Sequence, residues 1–110
     1  MSVAEEALTI ESQGAILQAC LHGAANPVAA AVFCHPHPQY GGDMDNPVVM
    51  AVVGELAARG WAILRFNFRG VGASIGSFDG AGGERADAAA ALDAVAARCR
   101  GARLVLGGYS

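Results

Sequence analysis

Residues 28–34 read Val-Ala-Ala-Ala-Val-Phe-Cys, with no charged or amide side chain anywhere in the run. Successive side chains of an extended strand face opposite sides, so this stretch presents apolar surface in both directions. Such a strand has to be covered on both faces, as in a parallel sheet between helices. The residues that follow offer the cover. Asn46 can cap a helix, Pro47 suits its first position and Gly60 stands just past its end. Between them Val48, Val49, Val52, Val53 and Leu56 fall on one helical face. Residues 61–68 read as the next strand, and the glycine-rich residues 69–83 lead to an alanine-rich helix over 84–100. Leu92, Val95, Ala96 and Cys99 form its stripe and Gly101 its stop, after which residues 104–106 open a third buried strand. Upstream, residues 7–12 and 15–21 flank Gln13-Gly14, which predicts an antiparallel hairpin. Hairpin, strand, helix, strand, helix, strand is an α/β order with right-handed crossovers and a largely parallel sheet.

The 110 residues hold one domain, and a 54% hydrophobic composition supplies its core. The net charge is −3, lysine is absent, and the seven arginines are spread along the chain. No basic stripe marks a nucleic-acid partner. The first residues carry Glu5 and Glu6 where a signal peptide would be positive. The longest apolar run falls well short of the ~20 residues that span a bilayer. No membrane association and a cytoplasmic location are therefore expected. Cys20, Cys34 and Cys99 are odd in number and lie among apolar neighbours, so buried, reduced thiols are expected.

Two places carry chemistry. Gly108-Tyr109-Ser110 follows the third buried strand and has the form of the first half of a Gly-x-Ser-x-Gly nucleophile elbow. Directly after the first buried strand comes His35-Pro36-His37-Pro38, leading to Gly41-Gly42. An acyl-transfer site must meet developing negative charge with preorganised N–H donors. In the elbow architecture one donor follows the nucleophile and the other lies in this loop. Proline has no N–H, so His37 is the candidate oxyanion-hole donor, through its backbone. His35 reads as a structurally hydrogen-bonded residue.

In order, the chain contains His-Pro-His-Pro-x-x-Gly-Gly-x-Met (35–44), Asn-Pro-Val-Val (46–49), Arg-Phe-Asn-Phe-Arg-Gly-Val-Gly-x-Ser-x-Gly (65–76) and Gly-Gly-Tyr-Ser (107–110). This series resembles small serine hydrolases of the α/β hydrolase superfamily, similar to dienelactone-hydrolase-like esterases. The resemblance implies the N-terminal part of an α/β hydrolase fold, a three-layer αβα sandwich when complete. Residues 1–110 would form a single incomplete domain, truncated at the nucleophile elbow. It implies Ser110 as nucleophile and His37 as oxyanion-hole donor. A triad acid and histidine would lie further along the polypeptide, and the 110 residues alone would be inactive. The expected substrate is a small-molecule ester, thioester or amide, with no cofactor and no metal. Many relatives carry Asp where this chain has Asn67. Tyr109, Arg69 and Ser74 are candidate substrate contacts.

Three other readings compete. Residues 69–76 suggest a dinucleotide fingerprint, but its third glycine would fall on Ile75, and no helix follows at once. His35-x-His37 could begin the ligand set of a metal-dependent hydrolase. The chain could also be a non-catalytic α/β module or a decayed hydrolase fragment, since no histidine follows Ser110.

Overall fold

The computed structural model describes residues 5–23, 25–37, 42–77 and 82–109. A hairpin opens the fold. Strand β1 (Glu5–Ser12) pairs antiparallel with β2 (Ala15–His22) in a register that sets Ser12 against Ala15. The two-residue turn has both residues left-handed, Gln13 at φ 37° and Gly14 at φ 85°. That geometry suits the right-handed twist of the strands it joins, and glycine adopts it without strain.

Then come β3 (Ala30–Cys34), helix α1 (Pro47–Ala58), β4 (Ala62–Phe66), helix α2 (Gly82–Arg98) and β5 (Leu104–Gly108). The five strands form one mixed sheet in the order β1-β2-β4-β3-β5. β2 runs antiparallel to β4, whereas β3 is parallel to both its neighbours, β4 and β5. Each helix covers one face, as the two-sided apolar strands require. Ala62, Leu64 and Phe66 of β4 join Leu17, Val32, Ala91 and Val95 in the layer under α2. Ile63 packs with Ala31, Val49, Val53 and Ala57 under α1. This is the first part of an α/β hydrolase fold.

The elements match the expected order with small shifts. β3 begins at Ala30, and β4 ends at Phe66, beyond which the Asn67 side chain and the Phe68 N–H bond to Met44 and His35. Asn46 caps α1, accepting from the N–H of Val48 at 2.9 Å and of Val49 at 3.4 Å. The buried line of α1 runs Val49, Val53, Ala57, while Val48 is 38% exposed. In α2 the buried line is Gly83, Asp87, Ala91, Val95, continued by Cys99, with Leu92 and Ala96 half-buried beside it.

Asp87, on that line, is wholly buried. It accepts from Ser12 Oγ at 2.6 Å, from Arg69 N–H at 2.9 Å, and from Arg69 Nη2 at 2.8 Å. Arg69 also donates to the Ser12 carbonyl at 3.1 Å. Burial alone would raise the carboxyl pKa, but the hydrogen bonds from Arg69 and Ser12 outweigh it and hold it below the usual carboxylate range. The pair ties α2 to the β1–β2 turn and to the segment after β4. Asp87→Ala, which strands the Arg69 charge, is expected to cost about 3 kcal/mol in urea unfolding. The stabilisation from Asp87 should be complete above pH ~4 and fade as pH falls through its depressed folded pKa.

Candidate active site

The parallel register of β3 with β5 sets Cys34 against Gly108, so the two strands leave the sheet at the same level. The N–H of Tyr109 donates to the Cys34 carbonyl at 3.3 Å, continuing the ladder one step beyond Gly108. The segment beginning at His35 and the segment carrying Tyr109 therefore emerge side by side. In open α/β sheets, ligand sites lie beyond the carboxyl ends of such strands. Ser110 itself and residues 38–41 lie outside the described residues. A Cβ at Gly108 would sit at an ordinary 3.6 Å from Cys34 Cβ, so the described residues do not by themselves demand glycine there.

The segment after β3 is gripped by the end of β4. The His35 ring is buried, accepts from the N–H of Phe68 through Nε2 at 3.1 Å and lies 2.7 Å through Nδ1 from the Pro36 carbonyl. Accepting from an N–H requires a lone pair on Nε2, so Nδ1 carries the proton and donates to Pro36. Phe68 also meets the ring edge-on, at 5.0 Å between centroids. Burial lowers the His35 pKa, against smaller raising effects of the Pro36 hydrogen bond and the Asp43 charge. The neutral tautomer suits both partners.

His37 is exposed. Its carbonyl accepts from the N–H of Gly42 at 3.2 Å, and a Cβ on Gly42 would collide with the carbonyls of Pro36 and His37. Two residues on, Met44 N–H donates to Asn67 Oδ1 at 2.7 Å, and Arg65 reaches the Met44 carbonyl at 3.2 Å and Asp45 at 2.7 Å. Asn67 in turn donates through Nδ2 to Gln18 Oε1 at 2.7 Å, an oxygen that also accepts from the N–H of Ala73 at 3.0 Å. Two backbone N–H groups thus fix the orientation of both amides. Asn67 serves here as an acceptor and a donor at once, which an ionised Asp cannot do.

Arg69 belongs to the Asp87 cluster. Ser74 is buried, donating to the Asn67 carbonyl at 2.7 Å and accepting from the N–H of Gln18 at 2.8 Å. A substrate contact by either would have to share groups already bonded within the fold. Tyr109 is 45% exposed beside the strand ends. Residues 70–77 are turns and bends, interrupted by one bridge in which Ile75 pairs with Ile16, and α2 begins only at Gly82. This is unlike a dinucleotide loop opening straight into a helix.

The metal reading of His35 and His37 conflicts with the geometry, since both ring nitrogens of His35 are bonded to backbone groups. Among the described residues one set of ligating atoms converges, from Glu5, Cys20 and His22. There Arg65 Nε donates to His22 Nε2 at 3.0 Å, so a guanidinium already supplies the positive charge. All three cysteines are free; Cys20 and Cys99 are buried, and burial pushes the Cys34 thiol up to about 11. No helix among the described residues is long and apolar enough to cross a membrane.

No family model matches the chain. An uncharacterized protein of Rickettsia prowazekii is 52% identical over 63 residues, covering 57% of this chain and 26% of that protein. Solved structures similar over nearly all of this chain include two serine hydrolases. An α/β serine hydrolase without a lid from Xanthomonas campestris is 34% identical, with a TM-score of 0.86 over 96% of this chain and 50% of its own. An α/β serine hydrolase homologue from Coxiella burnetii is 34% identical, with a TM-score of 0.87 over 96% and 51%. The chain thus spans about half the length of these hydrolases.

Two outcomes follow from this geometry. Gly42→Ala should distort the loop after β3, read as a lowered Tm and as shifted amide signals for His37 and Met44. His35 and His22 both have folded pKa values below the ordinary one, with burial the leading cause. Their stabilisation is complete above about pH 6.5 and is lost as pH falls through the folded values. Unfolding free energy measured between pH 7.5 and 5 should decline, and His35→Asn should flatten part of that decline.

Proposed function

We propose that this chain is the leading part of a serine hydrolase that cleaves an ester, thioester or amide through an acyl-enzyme. The observation that carries the reading is the shared exit of β3 and β5, which brings the His37 loop beside the segment that leads into Ser110. The fold and the serine hydrolases it resembles point the same way. A nucleophile must be flanked by N–H donors aimed at the developing oxyanion. In this reading the donors are the N–H of His37 and that of the residue after Ser110.

Ser110 Oγ attacks the carbonyl carbon, and its proton passes to a histidine further along the polypeptide, which a carboxylate orients. The tetrahedral intermediate collapses, the leaving group takes the proton from that histidine, and water hydrolyses the acyl-enzyme by the same steps. In this reading Tyr109, exposed beside the strand ends, lines the acyl site. If the site is lidless, as in the Xanthomonas relative, small esters reach it directly.

The test uses the whole protein. A fluorophosphonate should label it at Ser110, and Ser110→Ala should abolish labelling and lower turnover of p-nitrophenyl acetate by more than ~10³-fold. A folded protein that takes no label would instead be a non-catalytic α/β module.

A further inference from the structure

The Pro36–His37 peptide carries the proposed oxyanion donor, and its other end is the carbonyl that the His35 ring holds. In a planar trans peptide the C=O and N–H point in opposite directions, and no described peptide is cis. Whatever fixes the Pro36 oxygen therefore aims the His37 N–H. Two contacts fix it. Nδ1 of His35 lies 2.7 Å from the Pro36 oxygen, and Gly42 packs so closely against that carbonyl that no Cβ would fit. The ring is held in turn by Phe68, whose N–H donates to Nε2 at 3.1 Å and whose side chain packs edge-on against it.

We infer that His35 is a positioning residue of the oxyanion hole, relaying the fixed end of β4 to the peptide that bears the His37 N–H. The inference rests on the hydrolase reading above and adds a division of labour to it. The Phe68 bond selects the tautomer, and the Nδ1–H bond to Pro36 aims the donor. Neither ring nitrogen touches the substrate. The oxyanion forms only on the way to the transition state, so misaiming its donor lowers kcat and leaves KM unchanged.

Two amide substitutions separate the two bonds. His35→Asn places an amide nitrogen where Nδ1 lies and keeps the donation to Pro36. His35→Gln places its terminal oxygen near Nε2 and keeps the acceptor for Phe68, but loses the Pro36 bond. His35→Ala loses both. In the whole protein, kcat for p-nitrophenyl acetate should stay within about threefold of wild type in the Asn variant. It should fall about tenfold or more in the Gln and Ala variants, short of the ~10²–10³ lost when such a donor is removed outright. KM should hold throughout, and Tm should fall in the Asn and Gln variants alike.

A Gln variant as active as the Asn variant, a change confined to KM, or kcat falling in step with Tm across the series would overturn the assignment. Should the Ala variant fail to fold, the Asn–Gln comparison decides alone. Loss of the fold in both amide variants would assign His35 to the scaffold and overturn it as well. Failure of the underlying hydrolase reading shows separately and first, as wild-type protein that takes no fluorophosphonate label, and the positioning role falls with it.

Discussion

The structure turns on the end of β4. Over five residues that strand stops being part of a sheet and becomes the anchor for nearly everything around it. Arg65 reaches His22 on β2 and Met44 and Asp45 before α1. Asn67 joins Met44 to Gln18, the N–H of Phe68 holds His35, and Arg69 binds Asp87 on α2 and Ser12 at the hairpin. A buried polar group without a partner costs free energy that a small domain can ill spare. Among the described residues, no buried side-chain nitrogen or oxygen lacks one. The hydrogen bonds that satisfy this strand end also hold the loop after β3 and the segment after β4 to the sheet.

Seen from the proposed site, the same network is preorganisation. Backbone donors work in acyl transfer because they need not reorient as charge develops. The loop after β3 is held on one flank by His35, bonded to Phe68, and on the other by Met44, bonded to Asn67, both anchors lying just past the end of β4. A rigid β-strand terminus is a better support for such a loop than a neighbouring loop would be. β5 provides the other side of the site and is less covered. Leu104 and Leu106 are 43% and 51% exposed, as suits a strand paired here with β3 alone.

Much of this architecture is readable from local pattern. The apolar run before Cys34 announces a strand covered twice, Asn46-Pro47 and Gly60 bracket a helix, and Gln13-Gly14 marks the hairpin. Each signal acts within a few residues, through dihedral preference, capping or side-chain period. The proposed site rests on the same kind of local reading, since two prolines leave His37 as the N–H between them. Asp87 escapes such a reading. A carboxylate on an alanine-rich helix looks like a solvated position, and its buried partners Arg69 and Ser12 lie 18 and 75 residues away. Arg69 and Ser74 look like pocket residues in a glycine-rich loop for the converse reason, their partners being invisible from nearby sequence.

By itself, then, the sequence determined the order of the strands and helices, the place of the hairpin turn and the cap of the first helix, because each depends on neighbours along the chain. Only the tertiary structure decided the strand order β1-β2-β4-β3-β5, the pairing of Asp87 with Arg69, the amide orientations of Asn67 and Gln18 and the tautomer of His35. Those are set by which groups meet across the sheet, where a hydrogen bond must find both its donor and its acceptor, and no local preference specifies that meeting.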